Sequence, residues 1–210
     1  MARALGVVTM ALCALAALAC GSSDESGTGG SGAATGTGGQ TAAGGSGGGD
    51  AAPSCDAYCA SVMKSCTGDN AVYVSNDACM GVCATFDIGA AADTTGNTVG
   101  CRTYHAGAAA MAPTEHCPHA GPGGAGFCGN NCEGYCSIMM SACPGEFADE
   151  AACLDACGQY TDSEPFNANV KTGDTLQCRL YHASVATLDS VHCAHANAVS
   201  TAEFCGATTN

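Results

Sequence analysis

Residues 55–66 read CDAYCASVMKSC, and residues 132–143 repeat this pattern as CEGYCSIMMSAC. The apolar positions of the first stretch recur every three or four residues, as one face of an α-helix requires. These positions are Cys55, Cys59, Val62 and Cys66. Ser54 is a candidate N-cap, and Asp56 lies in the first turn, where the helix dipole favours an anion. Both stretches therefore predict a helix whose buried face carries cysteine.

A second pair of cysteines follows each of these helices after a loop. The two members of each pair are four residues apart, which predicts a further short helix. Two antiparallel helices of this kind can be joined by nested bridges: Cys55–Cys83 with Cys59–Cys79, and Cys132–Cys157 with Cys136–Cys153. The local pattern resembles the α-hairpinin framework over the first two helices of each copy. That resemblance implies a shape and no activity.

The cysteines of the whole chain follow the same repetition. Apart from Cys13 and Cys20, the 18 cysteines form two sets of eight with similar spacing. The flanking residues match as well, with CRTYHA beside CRLYHA and HCPHA beside HCAHA. A fixed period of this kind indicates tandem structural units, here modules of about 75 residues at 55–129 and 130–206. The two sets are Cys55, Cys59, Cys66, Cys79, Cys83, Cys101, Cys117 and Cys128, then Cys132, Cys136, Cys143, Cys153, Cys157, Cys178, Cys193 and Cys205.

An even number of cysteines in each module favours four disulfides per module. Zinc thiolates are the alternative, but neither set contains a Cys-x-x-Cys pair, and export favours oxidation. Large apolar side chains are scarce, so each core alone would be marginal, and disulfides stabilise by about 2–4 kcal/mol each. The sequence therefore predicts an all-α fold of two tandem disulfide-rich helical modules.

A third helix is predicted in each module, at CRTYHAGAAAMA and at CRLYHASVATL. Asn97 and Asp174 are its candidate N-caps. If the helix continues from Cys101 to Cys117, their sulfur atoms are too far apart to pair. That geometry favours the bridges Cys66–Cys117 and Cys101–Cys128. A helix that runs in the opposite direction after the preceding loop leaves other pairings open.

All six histidines occupy matched positions, although most residues between the cysteines differ: His105, His116 and His119, then His182, His192 and His195. Imidazole is a common ligand of copper, zinc and haem iron, and three per module can converge on an ion. Convergence requires a break in the third helix near Pro113, and the second module has no proline there. We therefore expect these imidazoles to satisfy backbone groups at helix ends, with metal or haem binding and a pH switch as alternatives. Covalent c-type haem is excluded because Cys-x-x-Cys-His is absent.

Two arginines also match, Arg102 with Arg179, and each lies in the first turn of the third helix. A helix dipole disfavours a cation at that end, so we expect each arginine to pair with a carboxylate. Asp56 and Glu133 are the matched candidates, and anion binding is the alternative. Aromatic residues match as well: Tyr58 with Tyr135, Tyr104 with Tyr181, and Phe127 with Phe204.

The N-terminal residues 1–19, MARALGVVTMALCALAALA, place one arginine before an apolar run without carboxylates. This pattern predicts a signal peptide for export, since the run is too short for a spanning helix. Residues 17–20, ALAC, resemble the lipobox of bacterial lipoprotein precursors. The resemblance implies that Cys20 is acylated and holds the protein at a membrane surface, and Gly21 after it loosely implies delivery to the outer membrane or cell surface. Secretion, or release into the periplasm, is the alternative.

Residues 20–54 are rich in glycine and contain no aromatic or large aliphatic side chain, which predicts a flexible linker. A formal charge of −14 excludes nucleic acid as a partner. No GxSxG, HExxH or phosphate-binding glycine motif occurs, so we expect no enzymatic activity. The sequence predicts an exported, lipid-anchored, non-enzymatic binding or structural module of the cell envelope, whose protein or small-molecule partner it does not identify. Metal or haem binding through the histidines is the alternative, and an envelope enzyme of unknown type is the second.

Overall fold

The computed structural model describes residues 51–197 and 204–206. The predicted signal peptide, Cys20 and most of the linker lie outside the described residues. The described part of the chain belongs to one compact unit, Ser46–Asn210. Within it the secondary structure is helical, with two isolated β-bridges and no longer strand among the described residues.

Each module contains four helices in the same order. Those of the first module are α1 (Cys55–Ser65), α2 (Asn76–Cys83), α3 (Val99–Ala108) and α4 (Pro113–Ala120), with a short 3-10 turn at Gly68–Asn70. Those of the second module are α5 (Asn131–Ala142), α6 (Glu150–Cys157), α7 (Leu176–Ala186) and α8 (Val191–Ala196). The prediction of an all-α fold built from two tandem disulfide-rich modules is confirmed.

Four disulfides stabilise each module, with Cα–Cα distances of 5.4–5.8 Å, as disulfide geometry requires. Two nested bridges join the first two helices, a third ties the end of the first helix to the fourth, and the last ties the third helix to the segment after the fourth. The pairs of the first module are Cys55–Cys83, Cys59–Cys79, Cys66–Cys117 and Cys101–Cys128. Those of the second are Cys132–Cys157, Cys136–Cys153, Cys143–Cys193 and Cys178–Cys205.

The N-caps of α3 and α7 differ from the prediction by one residue. Thr98 and Thr175 cap these helices, and each hydroxyl accepts a hydrogen bond from the backbone N–H three residues later, at 3.1 and 3.2 Å. Asn97 and Asp174, the predicted caps, make tertiary contacts instead. The Asn97 amide donates to a serine hydroxyl on α5, and Asp174 forms an ion pair with Arg179.

The two modules pack against each other where α2 meets α7. Gly81 on α2 comes so close to Thr187 that a Cβ atom at position 81 would lie 2.4 Å from the threonine hydroxyl oxygen. Elsewhere between the modules, the backbone N–H of Ala168 donates to the carbonyl of Ala71 at 2.7 Å. The modules therefore share a close, hydrogen-bonded contact.

In each module one buried tyrosine holds the fourth helix against the first helix. Tyr58 on α1 donates its hydroxyl to the carbonyl of Ala120, the last residue of α4, at 2.5 Å. Tyr135 on α5 donates to Ala196, the last residue of α8, at 2.8 Å. Both tyrosines are fully buried, and burial raises the pKa of each hydroxyl, so both remain protonated donors. These bonds position the helices that carry four of the six histidines.

Candidate metal centre

A turn between the third and fourth helices brings the histidines of each module together. In the first module α3 ends at Ala108, and α4 begins at Pro113, where a missing N–H is tolerated. The second module makes the same break without proline: the carboxylate of Asp189 accepts a hydrogen bond from the backbone N–H of Val191 at 3.1 Å, at the start of α8. A continuous third helix therefore does not form in either module, and the condition for convergence of the histidines is met in both.

The three histidines of each module form a triad. One ring nitrogen from each member of the first triad lies within 4.8 Å of the other two, and the same holds for the second triad. The first triad is His105, His116 and His119, and the second triad is His182, His192 and His195. Two Nδ1 atoms come closest in each: 3.1 Å between His105 and His116, and 2.9 Å between His182 and His192.

These distances suit ligands of a single ion. Two imidazole nitrogens bound tetrahedrally to one zinc ion at the usual bond length are about 3.3 Å apart. The close pair of each triad, at 3.1 or 2.9 Å, already has nearly this separation. The third nitrogen, within 4.8 Å of the others, needs an inward shift of at most about 1.5 Å. Without an ion, the short contact serves as a hydrogen bond between the two imidazoles.

One member of each triad is oriented by the backbone. Nε2 of His105 lies 3.2 Å from the carbonyl oxygen of Thr94, and Nε2 of His182 lies 3.1 Å from that of Lys171. Because a carbonyl only accepts, Nε2 carries the proton, and Nδ1 presents its lone pair to the other imidazoles. Metal-binding histidines usually make this outer hydrogen bond. The expected backbone contact therefore exists here, on the nitrogen that faces away from the triad.

The third member of each triad does not satisfy a backbone group through its Nδ1 atom. Nδ1 of His119 and Nδ1 of His195 are buried and have no hydrogen-bond partner within the described part of the chain. Phenylalanine rings cover these imidazoles, with Phe127 centred 4.0 Å from His119 and Phe204 centred 3.9 Å from His195. Buried polar atoms seldom lack a partner. The expectation of backbone satisfaction fails for these two nitrogens, which a bound ion or an inward rotation would serve.

Burial disfavours protonation of His105, His119, His182 and His192. Burial lowers the pKa of His105 and of His119, and the neighbouring imidazoles lower both further, while the Thr94 carbonyl partly offsets the effect for His105. In the second triad burial lowers the pKa of His182 to about 4, and burial followed by repulsion from a second imidazole lowers that of His192. These histidines are therefore unprotonated at pH 7, as metal coordination requires.

The coordination sphere is left incomplete by the protein. Sulfur atoms of Cys101 and Cys128 also lie within 4.8 Å of a His105 nitrogen, but they are joined in a disulfide and offer no thiolate. No carboxylate joins either triad among the described residues. His105 is 4% exposed, whereas His116 and His119 are partly open to solvent. Three imidazoles with an accessible side leave a fourth position free for an outside ligand.

The predicted carboxylate partners of Arg102 are wrong. Its guanidinium does not contact Asp56 or Glu133, but donates to the carbonyls of Gly121 and Pro122 at 3.1 and 3.2 Å. The side chain is fully buried. Its role is to hold the loop that follows α4, which helps to place His119 on that helix.

Arg179 does pair with a carboxylate, although with a residue that we did not predict. Its guanidinium lies 2.9 Å from Asp174 and 4.0 Å from the ring centre of Tyr160. The guanidinium is buried, with 2% of the residue exposed, so the structure does not favour the alternative of anion binding.

Sequence reasoning did not identify the groups that support the triads. The sequence shows that Phe127 and Phe204 occupy matched positions. It does not show that their rings pack on His119 and His195. The carbonyls of Thr94 and Lys171 gave no signal, because a backbone group leaves no trace in residue type.

Part of the chain is similar in sequence to a known protein domain. Residues 52–131, which contain the first module, match the BfoA family C-terminal domain. A stretch of 71 residues, 33% of this chain, is 35% identical to the Aurasperone B biosynthesis cluster protein A of Aspergillus niger (strain ATCC MYA-4892 / CBS 513.88 / FGSC A1513) and covers 23% of that protein. No solved structure matches. The cysteine-rich framework is consistent with these similarities, and the chain spans less than a quarter of this curated relative.

The described helices were also compared with the length and hydropathy that a membrane span needs. None of them is long and apolar enough to cross a bilayer. The number of disulfides indicates an extracellular or otherwise oxidising compartment.

Proposed function

We propose that this protein binds divalent transition-metal ions, one at the triad of each module. The observation that carries the proposal is the convergence of three imidazoles in both modules, although only one of the two has a proline at the helix break. The buried Nδ1 atoms of His119 and His195, which have no hydrogen-bond partner, support the same interpretation.

The donor set indicates the class of metal. Imidazole nitrogen suits zinc, copper and nickel, whereas magnesium, calcium and manganese prefer carboxylate and carbonyl oxygen. Copper(II) binds such sites more tightly than zinc in the general order of stability. Haem is less well supported, because three nitrogens within 4.8 Å of one another crowd the face on which a porphyrin would lie.

Export and anchoring belong to the same proposal. A disulfide-rich protein that leaves the cytosol suits the apolar N-terminal run, and the lipobox resemblance at Cys20 would keep it at a membrane of the cell envelope. The linker would hold the two modules away from the headgroups. We propose a non-enzymatic role at this surface, with retention of metal ions as its basic activity.

Metal stoichiometry tests the proposal. Equilibrium dialysis of the oxidised chain against copper(II) or zinc should give two bound ions per chain. His119→Gln and His195→Gln should each leave one ion, and the double variant none, so each module is the matched control for the other. Binding that is weak and unchanged in the double variant contradicts the proposal.

A further inference from the structure

We propose that the metal ion of the first triad takes a small-molecule ligand from an adjoining cavity, and that this ligand combines a neutral nitrogen or oxygen donor with a positively charged amine. The inference rests on the proposed metal site. It adds a ligand for the open coordination position of the ion. It also predicts that the two triads differ in the ligand that they prefer.

The cavity is an open groove between the modules with a volume of about 560 Å³. His119 belongs both to the first triad and to the cavity wall. The cavity is lined by residues of α4 from the first module and by residues 162–165 from the second module. A ligand in the cavity therefore lies next to an imidazole that would hold the ion.

The part of the wall contributed by the second module is held in place. Both carboxylate oxygens of Asp162 accept a hydrogen bond from the amide of Asn131 at 3.0 Å, and one accepts another from Gln177 at 2.7 Å. The Gln177 amide also donates to the backbone carbonyl of Glu164. Because these bonds fix the loop to α5 and α7, the cavity is formed by the fold itself.

The charge of the wall selects a cation. Glu115, Asp162 and Glu164 line the cavity, and none of the lining residues is Lys or Arg. A metal ion at the triad attracts an electron-pair donor, while the carboxylates attract positive charge. A ligand with a donor at one end and an ammonium group at the other meets both demands, and it keeps its charge apart from the ion.

The second triad differs at a matched position. Aligning His116 with His192 places Val191 where Glu115 stands. The second triad has Asp189 near the start of its fourth helix, but that carboxylate accepts a hydrogen bond from the Val191 N–H. An outside donor can still bind an ion there through the fourth position. We therefore expect the preference for a cationic ligand to be stronger at the first triad.

Two probes of similar size separate coordination from charge recognition. Both 1-(3-aminopropyl)imidazole and 1-propylimidazole coordinate through one nitrogen, but only the first carries an ammonium group at neutral pH. Each is titrated into the copper(II)-loaded full chain, and binding is followed by the visible absorption and electron paramagnetic resonance of copper. His195→Gln retains the first triad alone, and His119→Gln retains the second triad alone.

With the first triad alone, we expect the aminopropyl probe to bind about fivefold more tightly than the propyl probe, the effect of a partly solvated ion pair. The preference should disappear in the Glu115→Gln/Glu164→Gln variant and weaken with salt. With the second triad alone the two probes should differ less in affinity. Copper bound at the first triad without a preference for the amine overturns this inference only, whereas failure to bind copper overturns the proposed function as well.

Discussion

Removing one buried hydroxyl tests whether the tyrosine contact holds the first triad in position. Tyr58→Phe deletes the group that donates to the Ala120 carbonyl at 2.5 Å and lies 2.8 Å from the hydroxyl of Tyr73. Since Tyr58, Tyr73 and Ala120 are all buried, no water replaces the lost bonds without rearrangement. Leaving a buried carbonyl unsatisfied costs about 1–3 kcal/mol in the free energy of unfolding.

The assay is urea unfolding of the oxidised chain, followed by helical circular dichroism, together with the copper affinity of each triad. We expect a loss of about 1–3 kcal/mol and weaker copper binding at the first triad, because the end of α4 loses its hydrogen bond to α1 and only the Cys66–Cys117 disulfide still joins the two helices covalently. Copper binding at the second triad should not change. Tyr135→Phe is the matched control and should weaken binding at the second triad alone. Equal stability of Tyr58→Phe and the parent, with unaltered copper affinity, would refute the reasoning.

Three further outcomes follow from the same structure. The pKa of His182 is about 4 in the folded chain and about 6.5 when unfolded, so protons bind preferentially to the unfolded chain between these values. The free energy of unfolding should therefore be highest above pH 6.5 and fall as the pH drops toward 4, and a flat profile by thermal denaturation at several pH values would argue against burial of this imidazole. Reduction with excess dithiol should abolish the helical circular dichroism, because eight disulfides supplement a core with few large apolar side chains. Thiol titration shows when reduction is complete. Native circular dichroism at that point would contradict this prediction. Cys20→Ser should release the protein from membranes or leave its precursor uncleaved, and fractionation and migration identical to the parent would show that Cys20 is not acylated.

The cysteine framework could be predicted from the sequence because disulfides and helix periodicity both constrain spacing. Pairs four residues apart on neighbouring helices allow few arrangements, and those pairs are joined in the structure. The helix start at Ser54 was also predictable, since its hydroxyl accepts a hydrogen bond from the first turn at 3.3 Å. Local chemistry determines these features.

The triads could be predicted only in part. Matched positions identified all six histidines, but their convergence depends on a break that proline marks in one module and Asp189 stabilises in the other. The partners of Arg102 are carbonyls of a distant loop, which residue spacing does not indicate. The predicted N-caps failed because Asn97 and Asp174 serve tertiary contacts, and these outweigh local capping preference.

X-ray absorption at the metal edge of the oxidised, zinc-loaded chain tests the central claim most directly. The structure predicts two zinc ions per chain. Each should be surrounded by three imidazole nitrogens and one further nitrogen or oxygen ligand at about 2.0–2.1 Å. His119→Gln combined with His195→Gln should remove this signature. Sulfur ligands at about 2.3 Å, or fewer than three imidazoles per ion, would contradict the claim that the triads bind metal.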